Sequence, residues 1–236
     1  PPRPFFFKRD NMLSFLQDLF GDPEVWQVTL LSLKVSGIAT LISVVIGLPL
    51  GTLLALKKFP GRAFILTIIN TGMALPPVVV GLAVAMTLWR SGPLGDFHWI
   101  YTPLAIIIAQ IIIAAPVVTG LTAAALQQLN TNLQLQLLGI GASTPQMVAA
   151  LWWESRLPLL AALMAGFGSV ISEVGASMMV GGNIKGQTRV LTTAIVLESN
   201  KGEFERAIIL GAFLLTITLL INYALTWIQQ RGAKTR

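Results

Sequence analysis

The sequence predicts an all-α membrane protein with about five transmembrane helices, and three observations predict it. Of 236 residues, 54% are apolar and only 11% charged, under half the roughly 25% charged residues of a soluble domain. The apolar residues gather in five blocks of 22 or more, each carrying at most one charge. Blocks of that length match the roughly 20 residues needed to cross a bilayer core of about 30 Å. Cysteine is absent and His98 is the single histidine, so disulfides, thiolate nucleophiles and His- or Cys-rich metal sites are excluded. The apolar blocks themselves exclude a soluble enzyme. The net charge of +6 is spread over short loops, which reads as membrane topology and not as affinity for nucleic acid.

Residues 1–26 form an N-terminal tail. Pro1, Pro2 and Pro4 precede Phe5–Phe7 and the charged Lys8-Arg9-Asp10. Met12 offers a natural start, which leaves 1–11 as a leader or an added segment. In Met12–Phe20 the residues Leu13, Leu16 and Phe20 share one helical face and Ser14, Gln17 and Asp18 the other, the pattern of a helix lying in the membrane interface. No cleavable signal peptide is predicted, because no apolar core of about 7–15 residues follows the first charges.

The spans fall at about 27–56, 64–89, 102–125, 157–180 and 207–228, within a single transmembrane domain over 27–236. Each is predicted helical, because a segment in lipid must satisfy its own backbone hydrogen bonds. His98, Trp99 and Tyr101 lie between the second and third spans, where an aromatic belt meets the interface. Lys57, Lys58 and Arg62 follow the first span, and Arg231, Lys234 and Arg236 close the chain. By the positive-inside rule these ends are cytoplasmic and the N-terminus is outside. The basic residues summed over each side nearly balance once residues 1–11 and the 181–206 loop are included.

The spans are interrupted where a simple anchor has no need of interruption. Ala74-Leu75-Pro76-Pro77-Val78-Val79-Val80-Gly81 breaks the second, Pro116 lies in the third, and Gly47-Leu48-Pro49-Leu50-Gly51 lies in the first. Backbone breaks at membrane depth persist only where protein or a water-filled cavity supports the freed groups. A single proline reads equally as a packing kink, but the Pro76-Pro77 doublet points to a pathway or gate.

The fourth span carries Ala162, Gly166, Gly168, Ser172, Gly175 and Ala176, a series that lets another helix approach closely. Glu173 is the only carboxylate within any predicted span, and Lys34 the only cation well inside one. Counted at about 1.5 Å per residue, both lie roughly 10 Å from the same face, so the two are predicted to be neighbours. Two alternatives stand beside that pairing. Lys34 snorkels to the headgroups, or Glu173 makes a structural helix–helix hydrogen bond.

Gln127 to Glu154 is too polar at its start to be membrane. It predicts a short helix, a Gly141-Ala142-Ser143 turn with Ser143 or Thr144 as N-cap, and a second helix from Pro145. Two short helices projecting from the membrane form a docking surface for another protein.

At this point the chain resembles a permease subunit of an ATP-binding-cassette importer, of the molybdate, tungstate and sulfate branch. Gly141-Ala142-Ser143 matches the glycine turn of that family's ATPase-docking loop, with Leu138 and Gly139 before it, Leu151 at the later aliphatic position and Pro158 opening the next span. Leu135-Gln136-Leu137 departs from the usual Glu-Ala-Ala, and Glu154 from a usual proline. Leu75–Leu82, Ser91–Gly95, Glu173–Gly175 and Gly181–Arg189 resemble family segments in the same order, from about residue 24 onward. The wording Ser172–Met179 followed by Gly181-Gly182-Asn183 is most similar to tungstate-type permeases.

The resemblance implies the type I importer fold and a non-catalytic subunit in a prokaryotic plasma (inner) membrane. Its implied partners are a second copy of itself, two ATP-binding cassette subunits that hold ATP and magnesium, an extracytoplasmic oxyanion-binding protein, and lipid. This chain is expected to bind no cofactor and no metal. Gly181–Thr188 is no phosphate loop, since Gln187 stands where lysine is required. It is expected to be an outer segment near the binding-protein dock or outer gate, with a plain connecting loop as the alternative. Val190–Leu197 is too short to span and either lies in the interface or re-enters. Pro76, Pro77, Gly81, Ser172, Glu173 and Gly175 are the expected passage or gate. A secondary transporter or channel working without ATP is the alternative of a different class.

Overall fold

The computed structural model describes residues 21–234, so the interfacial helix expected over Met12–Phe20 lies outside the described residues. The first helix, α1, runs Pro23–Leu56 without a break. Asp22 caps it by accepting from the Glu24 N–H at 2.8 Å, and Pro23 stands at the first helical position, where its missing N–H costs nothing. Its 34 residues extend about 50 Å, so its ends project beyond a bilayer core. Pro49, expected to interrupt it, stays within the helix on an exposed face. The neighbouring glycines instead bring another helix close.

That other helix is α4, Pro103–Gln127, started by Thr102 and Pro103. The helices α2, Arg62–Met73, and α3, Pro77–Leu88, come between and meet at 102°. The Pro76-Pro77 pair therefore breaks the second predicted span outright. After α4 come α5, Thr131–Gly139, and α6, Thr144–Glu154. A 75° bend follows, leading into α7, Arg156–Ile171. The short α8, Gly175–Gly181, then α9, Leu191–Asn200, and α10, Phe204–Lys234, complete the chain. Among the described residues three helices are long and apolar enough to cross a membrane, or up to five if each bent pair counts as one span. The fourth predicted span is corrected. Residues 172–174 interrupt 157–180, because Glu173 and its neighbours leave the helix before α8 begins.

The core centres on α4. Ala105, Ile106, Ala109 and Ile113 join Val35, Val80, Val84, Ala176 and Val180 in one buried cluster. At Gly47 an added Cβ would stand 2.8 Å from Val118 Cγ1, and at Gly51 2.7 Å from Thr119 O. Gly166 on α7 faces the same Val118 at 2.7 Å from its Cγ2. Only residues without a Cβ let three helices converge on one valine. A smaller cluster joins Val25 and Val28 to Leu191, Ala194 and Leu210. By contrast α10 is exposed along most of its length, with Leu215, Leu219, Leu220 and Tyr223 turned outward.

The layout has two ends. One gathers Asp22, the 182–190 loop and Arg206. The other gathers Thr52, α6, Leu157 and Gln229, the last donating to Leu157 O at 3.2 Å.

Candidate functional site

The two broken spans meet at their breaks. An added Cβ at Gly81 would lie 2.6 Å from Ala176 Cα, and one at Gly175 would lie 2.5 Å from Val78 Cγ2. The structure therefore packs Val78 and Gly81 of α3 against Gly175 and Ala176 at the start of α8, next to Glu173, while Pro76 is exposed at the edge of the crossing. Pro76 O accepts from the N–H groups of Val79 and Val80 at 2.9 and 3.3 Å, which starts α3 at once. Val78, Val79, Leu82 and Met86 form an exposed apolar face beside this crossing.

Glu173 is buried at the α7–α8 break. Its Oε1 accepts from the Ala176 N–H at 2.9 Å, and its carbonyl accepts from Thr192 Oγ1 at 2.8 Å. Gln110 on α4 supports the same break, donating from Nε2 to Val170 O at 3.1 Å. Ser172 is exposed and donates to Gly168 O at 2.8 Å. The predicted Lys34–Glu173 pair is corrected. Among the described residues the two form no ion pair, because Lys34 is exposed on α1 while the Glu173 carboxylate turns to the backbone of α8. Equal depth along two helices does not put their side chains on facing sides.

The Gly181–Arg189 stretch is folded on itself. Thr188 Oγ1 donates to Gly181 O at 2.5 Å and accepts from the Ile184 N–H at 2.9 Å. The N–H groups of Gln187, Thr188 and Arg189 converge on Ile184 O at 3.0–3.2 Å. Gly182 has φ +68° and rests against the Tyr101 ring, and Asn183 also has positive φ and donates to Thr193 O at 3.4 Å. These are the interactions of a built loop, more than a slack connector supplies. Val190 stands at the N-cap position of the separate helix α9, its N–H donating to Thr193 Oγ1 at 3.0 Å, and the Leu191 N–H donates to Ser32 Oγ at 2.7 Å.

Composition gave no signal for the ion pairs at this end. Glu24 pairs with Lys185 and Arg189, both at 2.7 Å, and Asp22 pairs with Arg206 at 2.8 Å. Burial works to raise the Glu24 carboxyl, but hydrogen bonds and charge from Lys185 and Arg189 outweigh it and hold it below the usual carboxylate range. The pairs span more than 160 residues, so sequence reasoning could find them only through a fold.

At the opposite end α5 and α6 form the expected helical hairpin. Gly141 turns between them at φ +84°, a conformation glycine adopts without steric cost. Ser143 caps α6, its N–H donating to Gln146 Oε1 at 2.8 Å, and Ala142 N–H bonds Leu137 O at 3.0 Å. Leu151 is fully buried, while Leu135, Leu138, Ile140 and Trp153 are exposed. Gly139 has open space around it.

Among the described residues the helical bundle has three helices able to cross a membrane, or up to five spans, with two of them broken where they touch and a hairpin at one end, the form of a polytopic membrane protein. The chain belongs to the family of binding-protein-dependent transport system inner membrane components, matched over residues 47–234. It is 40% identical over 200 residues to a Haloferax volcanii protein described as a probable anion ABC transporter permease, covering 83% of this chain and 86% of that one. It is 37% identical over 211 residues to the tungstate uptake system permease protein TupB of Peptoclostridium acidaminophilum, covering 89% and 92%. The molybdenum transport system permease protein ModB of Escherichia coli is 29% identical, covering 91% and 99%.

Among solved structures, a bacterial ABC transporter involved in import of the acidic polysaccharide alginate superposes with a TM-score of 0.78 at 18% identity, covering 97% of this chain and 85% of that one. The MetNI methionine transporter in an inward-facing form gives 0.68 at 19% identity, covering 96% and 99%. The fold is that of type I ABC importer permeases. The chain is thus a multi-pass inner-membrane permease subunit and not an enzyme, with ATP hydrolysis belonging to a separate chain.

Proposed function

We propose that two copies of this chain form the membrane passage of an ATP-driven oxyanion importer whose cargo is tungstate. The observation that carries this reading is the contact of the two breaks at Val78–Gly175 and Gly81–Ala176. A crossing of this kind presents backbone groups and small side chains at membrane depth, and its one carboxylate is engaged by the Ala176 N–H. Such a passage can exchange water for backbone and hydroxyl contacts around a dianion without holding it tightly. The exposed apolar face of Val78, Val79, Leu82 and Met86 supplies the surface for the second copy. Tungstate is favoured because the TupB relatives are 37% and 36% identical and the ModB relative of Escherichia coli 29%.

In this reading the α5–α6 hairpin, within the loop of about 127–154, docks the ATPase subunit through Leu138, Gly139, Gly141, Ala142 and Ser143. Leu151 anchors it to the bundle. The Asp22 end is extracytoplasmic and the binding protein meets the Gly181-Gly182-Asn183 loop there. ATP binding draws the ATPase subunits together and the hairpin converts that motion into a rigid-body switch of the passage. Selectivity resides in the binding protein.

Uptake of labelled tungstate by the intact complex, competed by molybdate and by sulfate, tests the cargo. Tungstate uptake suppressed more by sulfate than by unlabelled tungstate would overturn it. Co-purification tests the docking. Gly141→Arg is expected to release the ATPase subunit, and stoichiometric retention in that variant would refute the assignment.

A further inference from the structure

A pocket at the Asp22 end lies away from both the breaks and the hairpin. It opens between the first turns of α1 and the 186–189 stretch, with a volume of about 390 Å³, and Glu24, Gln27, Leu31, Lys34, Gln187 and Arg189 line it. The charges around it do not cancel. Glu24 gives Oε2 to Lys185 Nζ and Oε1 to Arg189 Nη1, and Arg206 stands 3.7 Å from Oε2 while pairing with Asp22. The one carboxylate in the lining is therefore shared among cations. Lys34 is exposed, and among the described residues it forms no ion pair and no side-chain hydrogen bond. It lies roughly 10 Å along the helix past Gln27, where an ammonium without a counter-charge is expensive.

The pocket supplies donors from several directions. An ammonium comes from one helix, a guanidinium from the loop, and amides come from Gln27 and Gln187, neither of which is engaged by another described side chain. Separated donors of this kind suit an anion with acceptors on several sides, and the guanidinium is a preferred partner of oxyanions. The volume exceeds that of one such ion, so the ion enters with part of its water and is held weakly.

We propose that Lys34, Gln187 and Arg189 form a capture site for a tetrahedral oxyanion, either free tungstate or molybdate or the phosphate of a lipid headgroup. The free-ion source rests on the proposed function; the shared chemistry does not. The Glu24 carboxylate sets its limit, since it keeps the site from becoming strongly positive and so from trapping the ion.

Amine acylation followed by peptide mass spectrometry tests this on the permease–ATPase complex in a phosphate-free maltoside. Molybdate is the free probe, phosphatidylglycerol the lipid probe, and chloride at matched ionic strength the reference. Lys57, exposed near the other end of α1, is the internal standard. With molybdate at about ten times a millimolar Kd, labelling of Lys34 is expected to fall about tenfold relative to Lys57. The Gln187→Leu variant is expected to weaken that protection. Protection by molybdate without lipid identifies the free ion, and protection by phosphatidylglycerol alone identifies the headgroup. Labelling of Lys34 unchanged by both probes, or Lys57 protected equally, overturns the site. Failure of tungstate uptake with Lys34 still protected would count against the proposed function and leave the site standing.

Discussion

Trp152 on α6 donates its indole N–H to Thr52 Oγ1 on α1 at 2.8 Å, across a hundred residues of sequence. The hydroxyl is already oriented by its own bond to Leu48 O at 2.6 Å, and Leu151 beside the tryptophan is fully buried. This contact fixes the hairpin to the longest helix of the bundle. Losing either partner is expected to cost about 1 kcal/mol. Thr52→Val and Trp152→Phe should lower the unfolding temperature in detergent by similar amounts, and the double variant no further. A fully additive double variant would show that the two groups act independently.

The crossing of the breaks predicts a contrast between two glycines. Gly81→Ala drives a methyl against the backbone of Ala176, 2.6 Å away, and should cost about 1–3 kcal/mol as overpacking does. Gly37, in the middle of α1, has nothing within 4 Å of an added Cβ. Gly37→Ala should be neutral or gain up to about 1 kcal/mol from helix propensity. Thermal unfolding of the two variants side by side checks the difference in sign.

Glu173 and Lys34 are expected to behave as independent residues. Lys34→Met and Glu173→Gln should have effects on stability that add within about 0.5 kcal/mol. Glu173→Ala should be the harsher change at that position, about 1–3 kcal/mol, because it leaves the buried Ala176 N–H without its acceptor. A large coupling energy in the double-mutant cycle would restore the ion pair that the geometry denies.

The Glu24 ion pairs predict an acid dependence. Its carboxyl is held below the usual range in the folded chain by Lys185 and Arg189, so the unfolded chain binds the proton more readily. The stabilisation is therefore complete above the unfolded value of about 4.3 and is lost as pH falls through the lowered folded value. Unfolding temperatures measured between about pH 6 and pH 3 should fall more steeply for the parent than for Glu24→Gln. Raised salt should narrow that gap, since the pairs are only partly buried.

How much of this was legible in the sequence follows from the physics of each feature. Apolar block length located α1, α4 and α10, because the bilayer sets that length and little else does. Pro76-Pro77 announced the break before α3, and Gly141 with Ser143 announced the hairpin turn, since both are local backbone requirements. The break at Glu173 was hidden. Apolar residues continue on both sides of it, and Gly175 reads equally as a close-packing residue within a helix. Depth counted along that continuous helix then placed Lys34 and Glu173 side by side, although the count carries no information about which way each side chain turns. The Asp22–Arg206 and Glu24–Arg189 pairs are invisible in the sequence because their partners lie more than 160 residues apart and outside the predicted spans.

The glycine seam between α1 and α4 has a consequence for how the chain is made. A membrane protein is delivered from its N-terminus, so α1 enters the bilayer while α4 is still being synthesised. Until Val118 and Thr122 arrive, Gly47 and Gly51 present bare backbone to lipid, and α2, with no buried residue of its own, gives them no substitute partner. The most extensive helix pair in the bundle is thus non-sequential, and the newborn chain must store an inserted but unassembled α1. A ribosome stalled before residue 118 would leave α1 inserted and the seam still open.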